Sequence, residues 1–252
     1  MEKPAYFVSD IHLGAPSLTA EFELTRRSEI LRFLNEVMTN GSRLIIVGDL
    51  FDFWYEYNSV IPKEYFWLYA KFKEMIEKGV TIDYVAGNHD FFLGTFFSDS
   101  LGLKVYQDGF SEKFDGKKML VIHGDGLAEK DSGYRMLKKI LRNGLVRWAI
   151  RWIHPDLGFP LARAFSKKSR EYTSTKDYGE SDGMTDYARG KIEDGYEYVV
   201  MGHNHSPKLQ KFEKGVYVNL GDWLRHFTYA VFDGHELRLF KWKFENEPKS
   251  SS

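Results

Sequence analysis

Five short apolar runs in this chain each stop abruptly at a cluster of Asp, His or Asn. Ala5-Tyr6-Phe7-Val8-Ser9 leads into Asp10-Ile11-His12-Leu13-Gly14, and Leu44-Ile45-Ile46-Val47 leads into Gly48-Asp49-Leu50-Phe51-Asp52. The runs 80–86, 118–122 and 197–201 end at Gly87-Asn88-His89-Asp90, His123-Gly124-Asp125 and Gly202-His203-Asn204-His205. Continuous apolar stretches rich in β-branched residues read as strands covered on both faces. Ligands of α/β proteins gather beyond the carboxyl ends of such strands. A single Asp after a strand is usually a turn or helix-cap residue. Five endings of matching chemistry point instead to one shared site, with the glycines at 48, 87, 124 and 202 shaping tight turns that aim the side chains.

Between these runs the chain alternates. Apolar residues at helical spacing (Ile30, Leu31, Phe33, Leu34, Val37, Met38) predict a helix over 25–38, closed by Asn40-Gly41. With its flanking strands it forms a βαβ unit of right-handed crossover. A second helix is expected over 62–78, with Pro62 in its first turn and Gly79 after its end. A short aromatic helix follows His89-Asp90, then strands over 103–106 and 110–114 and a turn at Asp115-Gly116. Val216 to Asn219, Tyr229 to Phe232 and Leu237 to Trp242 read as antiparallel strands. The fold class is therefore α/β (α+β), as one domain over 1–245 with a disordered polar tail at 246–252.

Residues 134–178 break the pattern. Eleven Lys or Arg and two acidic residues lie between Arg135 and Lys176, interleaved with Met136, Ile140, Leu145, Trp148, Ile150 and Trp152. This reads as a basic, amphipathic helical insertion or cap, and its aromatic residues suit contact with an anionic lipid surface. Net charge is −1, so no overall field draws nucleic acid. Cysteine is absent, which excludes disulfides and zinc–thiolate sites and suits a reducing compartment. No apolar run approaches the ~20 residues that span a bilayer, and no signal-peptide pattern opens the chain.

Asp10, His12, Asp49, Asn88, His123, His203 and His205 together offer three oxygen donors and four imidazoles. Mixed nitrogen and oxygen donors suit manganese, iron or zinc better than calcium. Seven donors exceed what one ion needs, so two ions sharing one carboxylate is the economical arrangement, with Asp49 as the shared residue. Two ions about 3.5–4 Å apart can clamp a phosphate oxygen and stabilise an in-line displacement. Asp125 and Asp222 read as partners behind the ligands or as caps, and His154, His226 and His235 as ordinary surface or core histidines.

The ordered set Asp10-Ile11-His12, Gly48-Asp49…Asp52, Gly87-Asn88-His89-Asp90, His123-Gly124-Asp125 and Gly202-His203-Asn204-His205 resembles the calcineurin-like metallophosphoesterases over roughly 6–222. The resemblance implies a four-layered αββα sandwich of two packed sheets. It implies that Asp10, His12, Asp49 and His205 hold one ion and that Asp49, Asn88, His123 and His203 hold the other, both divalent, with manganese expected. It also implies that His89, oriented by Asp52, faces the phosphate and assists the leaving group, with Asn88 beside it.

A narrower resemblance is to the UDP-2,3-diacylglucosamine pyrophosphohydrolases of lipid A synthesis, carried by the residues around these motifs and by Asp131, Tyr134 and the helical insertion. In that family a Ser-x-x-x-Asn-x-x-Lys pattern contacts substrate, and Ser169, Thr173 and Lys176 stand in the matching positions, with Thr for Asn. That resemblance implies hydrolysis of a UDP-linked acylated glucosamine lipid, with Asn88, His89, Asp131, Tyr134, Ser169, Thr173, Lys176 and His203 touching substrate. It implies a cytoplasmic protein lying peripherally on the inner membrane, with no protein partner. The best-known members carry Arg, Glu and Thr where this chain has His89, Asp52 and Asn204, which keeps a different, water-soluble phosphoester open as substrate.

Overall fold

The computed structural model describes residues 3–127, 144–158 and 183–245. Two sheets dominate them. The first has six strands, β1 (Ala5–Val8), β2 (Arg43–Val47), β4 (Thr81–Val85), β6 (Lys104–Tyr106), β12 (Thr228–Phe232) and β13 (Leu237–Lys241), in the order β13-β12-β1-β2-β4-β6. The second has five, β7 (Phe110–Phe114), β8 (Lys117–Val121), β9 (Tyr198–Met201), β10 (Lys208–Lys211) and β11 (Val216–Asn219), in the order β10-β11-β9-β8-β7. A two-stranded ribbon pairs β3 (Trp54–Tyr55) with β5 (Asp90–Phe92).

Alternation along each strand builds the layers. Tyr6, Val8, Leu44, Ile46, Ile82 and Tyr84 face Ile30, Phe33, Leu34 and Val37 of α1 (Ala20–Asn40) and Leu68, Phe72 and Met75 of α2 (Phe66–Glu77). Their neighbours Phe7, Ile45, Val47 and Val85 turn the other way and meet Met119, Val121, Val200 and Val218 of the second sheet. Leu120, Val199 and Met201 then face Met184, Ala188 and Ile192 of α4 (Gly183–Glu193). Both faces of every ligand-bearing strand are thus covered, which is why these strands are apolar without interruption; each buried Val or Ile is worth roughly 1.5–3 kcal/mol. The result is the expected αββα order of layers.

Several expected bounds shift. α1 starts earlier than residue 25, because Thr19 caps it by accepting the Phe22 N–H at 3.2 Å. Pro62 precedes a 3₁₀ turn (Lys63–Tyr65), and the α-helix proper begins at Phe66. Asp115 and Gly116 both have left-handed backbone (φ 47° and 84°), as a two-residue hairpin turn requires. β11 pairs antiparallel with β10, as expected, but its other partner was not anticipated. It is parallel to β9, because β10 forms a hairpin with it on the outer edge and returns it alongside β9 in the same direction. That crossover brings the carboxyl ends of β9 and β11 together. Parallel pairing of β1, β2 and β4, and of β8 and β9, likewise collects their ends at one rim.

Of the insertion expected at 134–178, the described part contains α3 (Gly144–Arg151) and the turn after it. Its Leu145, Trp148, Trp152 and Leu157 are exposed. Asp131, Tyr134, Ser169, Thr173 and Lys176, and the tail 246–252, lie outside the described residues. Among the described residues no helix is long and apolar enough to cross a membrane.

Candidate metal centre

The loops after the strands are locked to one another before any side chain is considered. Asp10, His12 and Leu13 donate their N–H groups to the carbonyls of Gly48 (3.1 Å), Asp49 (2.9 Å) and Leu50 (3.0 Å). Five of the seven expected donors, Asp10, His12, Asp49, His203 and His205, have left-handed backbone, with φ between 49° and 72°. Asp and His tolerate that region better than most residues, but each such position still costs of order 1 kcal/mol or more. Strain repeated at one rim is held there by the packing beneath it. Gly48 also lies in the left-handed region (φ 84°), and a Cβ there would fall on the His123 ring. A Cβ at Gly87 would fall on the Asp49 carboxylate, and one at Gly202 on Ser9 and Asp10.

All seven expected donors converge. Asp10 Oδ1 is 3.7 Å from His12 Nε2 and 3.4 Å from His205 Nε2, and the two imidazole nitrogens are 3.2 Å apart. On the other side Asn88 Oδ1 is 3.0 Å from His123 Nε2 and 2.8 Å from His203 Nδ1. Asp49 Oδ2 stands between the groups, 3.7 Å from His12 Nε2 and 3.4 Å from His123 Nε2. Asp10, His12, Asp49 and His123 are buried, whereas Asn88, His89, His203 and His205 are partly exposed, so the pair of clusters opens towards solvent on that side.

The donor set fits two divalent cations. Asp10 Oδ1 is buried and accepts no hydrogen bond, an arrangement that costs free energy unless a cation completes it. Donors are nitrogen and oxygen only, and one carboxylate oxygen faces both clusters. The partners behind the donors fix which atom each presents. His123 Nδ1 donates to the Val47 carbonyl (2.8 Å), leaving Nε2 for the centre. His205 Nδ1 is 3.3 Å from Asp222 Oδ2, which places Asp222 behind a donor as expected. Asp49 Oδ1 accepts the His89 N–H at 2.8 Å, so Oδ2 is the oxygen left to face the clusters.

Charge balance in the ion-free centre shows how tightly these groups are coupled. Burial lowers the His123 imidazole's pKa, but the Asp49 carboxylate beside it prevails and holds it up to about 10. Burial raises Asp49, and the imidazoles of His123 and His89 overcome this and bring it well below the usual carboxylate range. Burial brings His12 down to about 4 despite its contact with Asp10, and lowers His203 with help from His123.

His89 meets Asp52 through the main chain. Its Nδ1 lies 2.6 Å from the main-chain carbonyl of Asp52, whereas the Asp52 carboxylate lies 3.8 Å from His12 Nδ1. Asp52 therefore holds His89 through its main-chain carbonyl, and its carboxylate groups with the rings of both His12 and His89. Sequence reasoning gave Asp90 no role. It is buried, accepts the N–H groups of Asp49 (3.0 Å) and Gly87 (2.9 Å), and takes the Tyr84 hydroxyl at 2.6 Å. Burial, with Asp49 nearby, raises it to about 6. Asn219, also missed, donates to the Gly202 carbonyl at 2.7 Å and steadies the turn that carries His203.

The chain is similar to known proteins over most of its length. The sequence profile described as calcineurin-like phosphoesterase matches residues 3–207. A UDP-2,3-diacylglucosamine hydrolase of Porphyromonas gingivalis is 29% identical over 264 residues, covering 95% of this chain and 97% of that protein. Another, from Aeromonas salmonicida, is 29% identical, covering 92% and 91%. Among solved structures, Yfce, a phosphoesterase from E. coli, aligns with a TM-score of 0.48 at 14% identity, covering 95% of this chain and 93% of that one. With clusters of Asp and His gathered at the rim of two packed sheets, and a profile match over residues 3–207, the chain belongs to the calcineurin-like phosphoesterase family.

Proposed function

We propose that this metal-dependent phosphoesterase hydrolyses the pyrophosphate of UDP-2,3-diacylglucosamine, releasing UMP and 2,3-diacylglucosamine 1-phosphate. The observation that supports the phosphoesterase chemistry is the placement of Asp49 Oδ2 between His12 and His123. Asp10, His12, Asp49 and His205 would hold one ion, and Asp49, Asn88, His123 and His203 the other. When bound, such ions supply a nucleophile from water at neutral pH and neutralise charge on the phosphate; manganese is the ion we expect.

The protein's own residues supply orientation and a proton. A carbonyl can only accept, so the 2.6 Å contact to Asp52 O fixes the His89 proton on Nδ1. Its Nε2 lies 4.0 Å from Asp49 Oδ2, on the metal side of the ring. With Nδ1 tied to the carbonyl, Nε2 is the nitrogen that would pass a proton to a leaving oxygen or to a phosphate oxygen. His203 and Asn88, partly exposed beside it, would take further phosphate contacts, and Asp131, Tyr134, Ser169, Thr173 and Lys176 would contact the sugar and lipid.

Two features support the lipid substrate: near full-length similarity to two UDP-2,3-diacylglucosamine hydrolases, and exposed Trp148 and Trp152 at 61% and 76% on the segment expected to cap the site. The same aromatic surface supports peripheral contact of a cytoplasmic protein with an anionic membrane. The test is an assay with Mn against UDP-2,3-diacylglucosamine, the unacylated UDP-sugar, cyclic nucleotides and bis(4-nitrophenyl) phosphate. The acylated nucleotide should give the highest kcat/KM by at least tenfold; a preference for the generic ester would replace the lipid with a water-soluble substrate.

A further inference from the structure

Arg26 occupies a core position of α1, one turn before Ile30 and two before Phe33, and is only 1% exposed. Its Nη2 donates to the carbonyl of Ile11, the residue between the donors Asp10 and His12. Its Nη1 lies 3.1 Å from Glu23 Oε2, and Glu23 Oε1 accepts the N–H of Gly14 at 3.1 Å. Two side chains one helical turn apart therefore grip the 10–14 loop at its middle and at its exit. On either side of Ile11, Asp10 and His12 hold left-handed backbone angles of 52° and 49°.

A guanidinium in a helix–sheet core is costly unless paired; Nη1 of Arg26 is ion-paired with Glu23, and Nε has no hydrogen-bond partner there. Any aliphatic residue would suit the packing better. The charges that face Arg26 explain its presence. Besides Glu23 they are the carboxylates of Asp222 and Asp52. Asp222 stands 3.3 Å behind His205 Nδ1, and Asp52 Oδ1 stands 3.8 Å behind His12 Nδ1. The guanidinium's charge thus acts on the carboxylates that stand behind His12 and His205, while its hydrogen bond holds the residue between Asp10 and His12. Asn88, His123 and His203 have other supports, in Val47, Asp90 and Asn219.

We propose that Arg26 is a positioning residue for one ion of the pair: by holding the Ile11 carbonyl, with Glu23 holding Gly14, it keeps Asp10 and His12 in the strained turn that aims both at the ion shared with His205. Loss of the grip lets the turn relax and weakens that ion selectively. The other ion, held by Asn88, His123 and His203, keeps its site.

This inference rests on the two-metal reading, and the experiment separates them. Purified full-length protein is equilibrated with MnCl2 over a concentration series, and bound Mn is counted after separation from free ion. Wild type should bind two. Arg26→Met should retain one, with the other weakened at least tenfold. The Mn concentration for half-maximal hydrolysis of bis(4-nitrophenyl) phosphate should rise in step, while KM at saturating Mn stays within twofold. Arg26→Ala should regain its second ion when methylguanidinium is added. Should the Arg26 variants fail to fold, Glu23→Gln carries the test, since it keeps an acceptor for Gly14 but removes the charge beside Arg26; weakening of one ion supports the inference. Wild type binding fewer than two Mn overturns both readings. Wild type and variants all binding two with equal affinity, even with a lowered Tm, overturns only the role of Arg26.

Discussion

His123 meets Asp49 at 3.4 Å with both side chains buried, and its other ring nitrogen is tied to Val47, the last residue of the strand that carries Asp49. A candidate donor of the second sheet is thereby aligned by the first. Substituting Asp49 removes the carboxylate that faces both clusters. Asp49→Ala should lower turnover at least about 10³-fold at any Mn concentration and leave fewer than two bound Mn, with an unchanged far-UV circular dichroism spectrum. Near-normal activity with added Mn would refute the shared role.

The same contact sets a pH dependence. In ion-free protein the His123 value is raised from 6.5 to about 10, so the imidazolium stabilises the fold fully below pH 6.5. That contribution is lost as pH rises through 10. Ion-free protein should therefore lose Tm between pH 7 and 10, and His123→Asn should flatten that part of the curve. Cation binding needs the neutral ring, so Mn uptake at pH 7 should release about one proton from this residue. Titration calorimetry in buffers of different ionisation enthalpy measures it.

Asp222 accepts the N–H groups of Leu224, Arg225 and His226 on Oδ1 and faces His205 with Oδ2. Asp222→Asn keeps an acceptor for the loop but removes the charge behind His205. Mn affinity at the ion bound by Asp10, His12 and His205 should fall by roughly 10–100-fold, read as a rise in the Mn needed for half-maximal activity.

Gly48→Ala combines a left-handed backbone with a Cβ set on the His123 ring. It should destabilise the protein by roughly 2–4 kcal/mol, whereas Gly116→Ala, equally left-handed but with open space around its Cβ, should cost about 1 kcal/mol. Paired urea unfolding curves give the difference.

Trp148 and Trp152 face each other edge-on with ring centroids 6.0 Å apart, both exposed. Trp148→Ser with Trp152→Ser should leave Tm within a few degrees and leave hydrolysis of bis(4-nitrophenyl) phosphate unchanged. It should raise KM for an acylated nucleotide about tenfold or more. An equal effect on both substrates would remove the lipid from the account of this segment.

The convergence of the candidate donors was legible in sequence because each lies at the end of an apolar strand, so chain order alone reports their place at the rim. The layered architecture was legible for the same reason: strands buried on both faces carry no polar interruption. β3, β5 and β10 were not, since two and three residues among aromatics, or Lys208-Leu209-Gln210-Lys211 on an exposed edge, have no period to read. Direction of pairing was equally hidden, because β11 looks alike whether parallel or antiparallel to its neighbours. Two omissions did leave a signal. Met184, Ala188 and Ile192 repeat every four residues and announce α4. The apolar period of α1 extended backwards from Ile30 and Phe33 falls on Arg26, so a charge stood where the helix required an apolar side chain. Asp52 and His89 show the opposite limit: spacing placed them together and could not say which atoms would meet.

The first sheet is made from both ends of the chain, with β12 and β13 lying beside β1. Trp223, just before β12, donates its N–H to the carbonyl of Asp10 at 3.1 Å. Asp10 therefore reaches its final place only after residues some two hundred positions downstream have been synthesised and docked. Closing so long a loop is slow, and His205 joins Asp10 late for the same reason. An ion held by Asp10, His12 and His205 would therefore find its donors assembled only after the last strands of the first sheet have docked, and would lock a topology already closed.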